Sequence, residues 1–245
     1  MNDEPVGDRP APNGAGRSAS GPIRGADPVV GGDDQDDHIE RAWSRLEPVL
    51  EESRLLGFLG PAAVRDPFDH AVAHCRAVIS HATDTSRLCD LGTGGGVPGL
   101  VLAELLPRSE AVLVESMVRR AAFLREAVET LGLGGRVQVV EERAENVGRG
   151  RFRAQFRCVT ARSFAPPAVT AEIAAPLLEI GGVLVVGGSP ESSTQWSSEP
   201  MSMLGFEPAR IVVVDGRHFV IAHKSSATAE RWPRRVGMPT KRPLW

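Results

Sequence analysis

The sequence predicts an α/β fold with a mostly parallel sheet that ends in an antiparallel hairpin. From Arg87 onward, short apolar stretches typical of buried strands alternate with helix-like stretches. This alternation is typical of a parallel sheet covered on both faces. A glycine-rich turn at 92–99 separates the first strand of the series from its first helix. Near the C-terminus, Asp215-Gly216 lies between two further apolar stretches, and this dipeptide is typical of a tight hairpin.

The first elements are expected to be helices. Apolar residues at helical spacing between Glu40 and Leu59 predict one helix. Asp66-Pro67 is typical of an N-cap followed by proline at the first helical position, and the helix that it opens is expected to end near His81. These helices predict a helical N-terminal cap over residues 38–82.

The core of the fold is expected at residues 83–224. Five parallel strands are predicted at Leu88–Leu91, Ala111–Val114, Val137–Val140, Cys158–Ala161 and Val183–Val186. Helices are predicted between them at Leu100–Leu106, Arg119–Leu131 and Ala168–Leu178, and hairpin strands at Arg210–Val214 and Phe219–Ala222. The length of 245 residues then leaves one large domain.

Charge is distributed unevenly along the chain. The formal net charge is −3, but residues 1–40 hold three arginines and nine acids, a net of −6, which leaves 25 basic and 22 acidic residues, a net of +3, in the remainder. Residues 1–37 are rich in Gly, Pro, Ala and Asp, so we expect a disordered acidic tail there. Residues 225–245 are expected to form a basic, proline-containing tail. The positive body permits a nucleic-acid partner that the average charge does not suggest.

Several classes of protein are excluded by composition. No apolar run approaches the ~18 residues of a membrane helix, and no apolar core follows the N-terminal charges as in a secretory signal. The cysteines at 75, 89 and 158 form no CxxC pair and are expected to be buried, reduced thiols. A cytoplasmic protein is therefore expected. His70 and His74 have metal-compatible spacing, but no carboxylate partner is evident and no metal site is predicted.

The glycine turn, Asp90-Leu-Gly-Thr-Gly-Gly-Gly-Val-Pro-Gly99, is the most specific motif. Its glycines let the backbone approach a ligand closely, and the helix that follows offers free backbone amides at its N-terminus. Two ligands fit the pattern. Gly94, Gly96 and Gly99 match the dinucleotide motif, with Glu115 at the ribose-binding position. The same layout also serves S-adenosyl-L-methionine, and Asp90 favours it, because a carboxylate would repel a pyrophosphate but attract the ammonium group.

Several segments together resemble the small-subunit ribosomal RNA guanine-N7 methyltransferases, also called the glucose-inhibited division protein B family. The resemblance runs from about Val64 to the C-terminus. It rests on Arg65-Asp66-Pro67 with His74, on the turn Asp90–Gly99, on Glu115-Ser116-Met117 with Arg119, Arg120, Phe123 and Leu124, on Arg143-Ala144-Glu145, on Ala161–Ala165, and on Pro233–Leu244.

The resemblance implies a Rossmann-like class I S-adenosyl-L-methionine-dependent methyltransferase. Its cofactor contacts fall on Gly92, Val97, Ala144, Glu145 and Arg162, with Glu115 on the ribose; the turn adds Asp90, Gly94 and Gly96 as expected cofactor-binding residues. The residues expected to face RNA are Arg119, Arg120, Arg234, Arg235, Lys241 and Arg242.

The implied reaction is methylation of N7 of a guanine in 16S ribosomal RNA of the small subunit. N7 carries a free lone pair, so alignment rather than a general base is expected to govern catalysis. Arg162, at the end of the fourth predicted strand, is the expected catalytic residue, placed to reach both cofactor and base. The partner is expected to be the RNA or the small subunit, and the protein a monomer.

Two other functions stay open at this level. Ala77, Val78 and Gly187 stand where the family usually has Asp, Ser and Lys, which motivates a catalytically impaired RNA-binding relative that retains the cofactor pocket. The pattern of Gly94, Gly96, Gly99 and Glu115 motivates an NAD-dependent oxidoreductase.

Overall fold

A seven-stranded sheet with helices on both faces forms the centre of the protein in a computed structural model, which describes residues 33–245. The strands are β1 Arg87–Leu91, β2 Glu110–Glu115, β3 Val137–Glu141, β4 Phe156–Ala161, β5 Leu178–Gly187, β6 Arg210–Val214 and β7 Arg217–His223. The helices are α1 Asp33–Leu55, α2 Arg65–His81, α3 Gly99–Leu105, α4 Val118–Thr130, α5 Ala144–Arg149, α6 Pro167–Ala174, α7 Ser198–Met203 and α8 Met238–Lys241. A short 3-10 helix covers Pro190–Thr194.

The strand order across the sheet is β3-β2-β1-β4-β5-β7-β6. The first five strands run parallel, and β7 pairs antiparallel with both β5 and β6. This confirms the mostly parallel sheet with a C-terminal antiparallel hairpin. The order reverses between β1 and β4, and ligands bind α/β sheets at the carboxyl ends of strands at such a switch point.

Each face of the sheet has its own apolar core. On one face, α1 to α4 pack around Leu46, Phe68 and Phe219. On the other, α5 and α6 pack around Phe156 and Leu177. The two N-terminal helices therefore cover the sheet together with α3 and share its core, instead of forming a separate layer.

The ends of several helices differ from the prediction. The first helix begins at Asp33, within the predicted tail, and ends at Leu55, since Gly57 has a φ of +73°. Residues 1–32 of that tail lie outside the described residues. Asp66 is not an N-cap but lies in the first turn of α2, where its carboxylate accepts a hydrogen bond from Arg217. The helix expected to reach Leu178 ends at Ala174, because Pro176 cannot continue it.

The predicted hairpin turn is present. Val214 pairs with Arg217, and the two residues between them have positive φ values, +50° at Asp215 and +72° at Gly216. Two successive positive φ values are typical of a type I′ turn, which matches the twist of the strands. None of the helices in 33–245 is long and apolar enough to cross a bilayer.

Replacing Gly216 by alanine is expected to destabilise the protein by about 1 kcal/mol, because an L-residue is strained at positive φ. Urea unfolding gives the free energy of unfolding. Gly60→Ala is the matched control, since Gly60 has open space around its Cα and no positive φ. Equal effects of the two substitutions would contradict the assigned turn.

Candidate functional site

A cavity of about 270 Å³ opens beside the carboxyl ends of β1, β2 and β4. This is the switch point of the sheet, where a ligand site is expected in an α/β fold. Its volume is near the lower end of the ~300–1,000 Å³ typical of small-molecule sites. Four of the predicted cofactor residues line it: Gly92, Glu115, Ala144 and Glu145.

The glycine turn brings backbone close to this cavity. Gly92, Gly94 and Gly96 have φ values of +66°, +59° and +102°. A Cβ atom at Gly92 would lie 2.5 Å from the ring of Phe164. Gly92 is therefore required both by its conformation and by the close approach of the aromatic ring.

Glu115, at the end of β2, holds the turn in place. Its Oε2 accepts a hydrogen bond from the Gly94 amide at 3.0 Å, and its Oε1 accepts one from the Met117 amide at 2.8 Å. The side chain is only 5% exposed and lines the cavity. Since each carboxylate oxygen has two acceptor positions, Glu115 can still accept hydrogen bonds from the hydroxyl groups of a ligand.

Asp90 lies behind the turn rather than on the cavity wall. Thr160 donates a hydrogen bond to its Oδ1 at 3.0 Å, whereas Oδ2 has no partner among residues 33–245. Burial raises the pKa of Asp90 to about 7 against the lowering effect of the Thr160 hydrogen bond. The nearby positive charge of Arg162 also favours the ionised form of this carboxylate.

Arg162 lies on the side of the sheet covered by α2. Its side chain packs against Gly187, where an added Cβ would lie 3.3 Å from both Arg162 Cγ and His70 Nε2. Arg162 has no ion pair within the described part of the chain, and the structure does not place it on the cavity wall. Asp90 and Asp66 are the nearby carboxylates that act on its charge. Arg162 is thus a partly buried cation with free donors.

Two histidines of α2 flank this arginine, and neither is placed as a metal ligand. His74 is buried, its Nε2 lies 3.2 Å from the Val185 carbonyl oxygen, and burial lowers its pKa to about 3. His70 Nδ1 lies 3.4 Å from Arg217, which pairs with Asp66. Burial, together with the charges of Arg162 and Arg217, lowers the pKa of His70 to about 4. Residues 33–245 contain no group of three metal-ligating side chains.

The residues predicted to face RNA separate into two groups. Arg119 and Arg120 lie about 6 Å from the Phe58 ring, and Arg120 also lines the cavity. Arg235, Lys241 and Arg242 are exposed in the C-terminal segment. Arg234 points inward instead, where it binds the fully buried Glu172. Its charge is therefore already neutralised inside the fold.

The structure adds several cavity residues that sequence reasoning did not assign to the site, among them Glu142, Ser163 and Thr240. Thr240 belongs to the C-terminal segment, and only the folded path of the chain brings it to the cavity. The predicted cofactor residues Gly94, Gly96 and Val97, by contrast, shape the turn behind the cavity wall. The three cysteines are free and buried, as predicted.

Fold and site together define a Rossmann-like class I methyltransferase. The structure of a protein described as a predicted O-methyltransferase from Agrobacterium tumefaciens superposes with a TM-score of 0.51 at 23% identity, covering 64% of this chain and 82% of that one. The S-adenosylmethionine-dependent methyltransferase SibL superposes with a TM-score of 0.52 at 13% identity, covering 79% and 74%. These identities establish the fold alone.

The chain belongs to the rRNA small subunit methyltransferase G family, whose model matches residues 48–220. The family protein of Rubrobacter xylanophilus is 39% identical over 170 residues, which cover 64% of this chain and 65% of that protein. The one from Roseiflexus castenholzii is 38% identical over 183 residues, covering 71% and 78%. Both are named ribosomal RNA small subunit methyltransferase G. Membership confirms the resemblance and does not favour the oxidoreductase alternative.

The residues present fit S-adenosyl-L-methionine, the cofactor of this class. Gly92 brings the backbone of the turn to the cavity wall, and behind the turn Asp90 has a buried carboxylate oxygen without a hydrogen-bond partner among the described residues. Glu115 and Ala144 line the part of the cavity next to β2 and α5. We assign the ammonium side of the cofactor to the turn and its ribose to Glu115 as proposals.

Asp90→Asn is expected to change how stability depends on pH. The folded-state pKa of Asp90 is about 7, whereas an unfolded aspartate has a pKa near ~4, so the folded state binds more protons between these values and loses stability as pH rises through them. The asparagine variant lacks this loss, so its free energy of unfolding should increase relative to that of the wild type between about pH 4 and pH 8.

Chemical denaturation across this pH range measures the difference. Thr160→Val is the companion variant, because it removes the hydrogen bond that favours the ionised carboxylate and should extend the loss of stability to higher pH. Parallel curves for wild type and Asp90→Asn would contradict the assigned burial.

Proposed function

We propose that the protein transfers a methyl group from S-adenosyl-L-methionine to N7 of a guanine in 16S ribosomal RNA of the small subunit. Family membership, the methyltransferase fold and a cavity at the switch point support this proposal. The observation that carries it is Arg162, a partly buried guanidinium without an ion pair in the described chain, next to the glycine turn.

Arg162 is suited to hold an electron-rich base edge. A guanidinium donates several hydrogen bonds in one plane, and contact with the acceptors of guanine is a common use of arginine. Arg162 packs closely against Gly187, where a larger residue would press on its side chain. A donor to O6 would turn N7, the neighbouring acceptor, towards the cofactor, so we assign Arg162 the role of aligning the base.

The surrounding side chains suit a reaction that needs no general base. S-adenosyl-L-methionine supplies an electrophilic methyl group on sulfur. With the cofactor bound, the N7 lone pair would take the methyl carbon as the carbon–sulfur bond breaks, which would release S-adenosylhomocysteine and no proton from the base. His74 lies against the Val185 carbonyl, and Asp90 is hydrogen-bonded inside the fold. What these residues provide is a dry, fixed environment for alignment.

An RNA base must leave its stack to reach such a site. Arg119 and Arg120, beside the half-buried Phe58, and the exposed Arg235, Lys241 and Arg242 could hold the phosphates around it. We assign these five residues to RNA and leave out Arg234. The substrate is either the RNA or the small subunit, and a monomeric, cytoplasmic protein is part of the proposal.

The deciding experiment is methyl transfer to 16S RNA and to small subunits that lack the modification. Labelled methyl should enter the RNA, and mapping should place it on N7 of one guanine. Arg162→Gln is expected to lower kcat/KM by about 100-fold, the size of effect seen when one aligned donor is removed, while S-adenosylhomocysteine binding changes little. Arg162→Lys should recover part of the activity, because it keeps the charge without the planar fork.

Absence of incorporation by wild type, despite measurable S-adenosylhomocysteine binding, would exclude the enzyme and leave the impaired RNA-binding relative. Methyl on another base atom would contradict N7 as the acceptor.

Neutralising Arg119 and Arg235 to glutamine is expected to weaken RNA binding. The dependence of log K on log salt should fall by about 1 for each phosphate that the variant no longer neutralises. Filter binding at several salt concentrations measures this slope. Arg210→Gln is the matched control, because Arg210 is exposed on the edge strand β6. An equal decrease in this slope for Arg210→Gln would show that Arg119 and Arg235 contribute to RNA binding only as any exposed positive charge does.

A further inference from the structure

The segment Trp232–Lys241, here called the C-terminal strap, is held against the core by charged groups from α5, from α6 and from the turn before β4. Its start is fixed by Arg153, which donates hydrogen bonds to the carbonyl oxygens of Trp232 at 2.8 Å and Thr228 at 2.7 Å. The Trp232 side chain is buried in the apolar core on the α6 face. The strap therefore begins as a part of the fold.

A fully buried carboxylate fixes the next residue. Glu172 on α6 is 0% exposed and accepts three hydrogen bonds from Arg234: from its amide and Nε at 2.9 Å each, and from Nη2 at 2.5 Å. An uncompensated buried charge is strongly destabilising. The buried Glu172 therefore needs the positive charge of Arg234, and Arg234 reaches it only when the strap lies in this position.

A second buried carboxylate fixes the strap at the cavity. Glu145, which lines the cavity and is 2% exposed, accepts a hydrogen bond from the Gly237 amide at 3.0 Å. Burial acts to raise the pKa of Glu145, but this hydrogen bond and the adjacent Arg143 outweigh it, so that the pKa is lowered. Gly237 has a φ of +78°, and α8 begins directly after it.

These contacts bring Thr240 of α8 to the wall of the cavity that Gly92 and Glu115 also line. We propose that the C-terminal strap is a wall of the S-adenosyl-L-methionine site, with Thr240 at the cavity and with Glu172, Arg234 and Glu145 as the positioning residues that hold the strap. The inference rests on the assigned cofactor. It lies beyond residues 48–220, to which the family match extends.

Two consequences follow from this arrangement. Glu145 lines the cavity while its Oε1 holds the strap, so it joins the strap directly to the site. Cofactor binding and strap docking must also strengthen each other by the same factor, because coupling between two equilibria is reciprocal.

The strap offers its own reporter, because Arg235 and Lys241 are exposed sites for trypsin. We would measure the rate at which trypsin releases the C-terminal fragment of the full-length protein, with and without S-adenosylhomocysteine, and the Kd of this ligand by calorimetry. In the wild type the ligand should slow cleavage in the strap at least about fivefold, the lower end of typical coupling.

Glu172→Gln leaves every trypsin site in place and removes the charge that holds Arg234. It is expected to raise the Kd for S-adenosylhomocysteine and the cleavage rate without ligand, each at least about fivefold. Glu230→Gln is the matched control, since it makes the same change at an exposed position just before the strap. It should alter neither quantity.

Two further variants keep the proposal testable should Glu172→Gln fail to fold. Arg234→Gln removes the other half of the pair and should raise the Kd in the same way. Thr240→Trp keeps the contacts of Glu172 with Arg234 and of Glu145 with Gly237 but fills the cavity. It should therefore raise the Kd for S-adenosylhomocysteine while leaving the cleavage rate without ligand unchanged.

A wild-type strap whose cleavage is insensitive to the ligand, or anchor variants that bind it as the wild type does, would overturn the proposal. These readouts need no methyl transfer. Coupling observed in a protein that methylates no RNA would refute the proposed reaction and retain the strap.

Discussion

Four carboxylates are buried in the part of the chain that the structure describes, and each needs a partner in order to stay there. Asp90 takes Thr160, Glu115 takes two backbone amides, Glu145 takes the Gly237 amide, and Glu172 takes Arg234. Because an unsatisfied buried charge is costly, these pairings restrict the path of the glycine turn and of the last residues. The cavity lies between the glycine turn and this last segment of the chain.

At the carboxyl edge of the sheet, the two faces present different parts of the site. The α6 face holds the cavity, with Glu115 and Ala144 in its wall. The α2 face holds Arg162, His70 and Gly187, close to the buried Asp90. Methyl transfer requires a cofactor and a base to meet from different directions.

Positive charge near the site is used in two distinct ways. Arg153 and Arg234 are engaged inside the fold, the first with the Trp232 carbonyl oxygen and the second with Glu172. Arg119, Arg235 and Arg242 remain at the surface. A count of arginines along the sequence does not separate these roles, since Arg234 is bound to the buried Glu172 whereas its neighbour Arg235 is exposed.

The sequence by itself determined the seven strands in chain order, the longer helices, the hairpin at Asp215-Gly216, the glycine turn and the family, but not the short helices α5, α7 and α8. These features are local: they depend on periodicity, on residues that tolerate positive φ, and on contiguous motifs. Only the tertiary structure decided that Arg234 meets Glu172, that Asp66 meets Arg217 instead of capping its helix, and that Thr240 reaches the cavity. Each of these contacts joins residues that are far apart in the sequence, and the burial that makes such partners necessary exists only once the chain is folded.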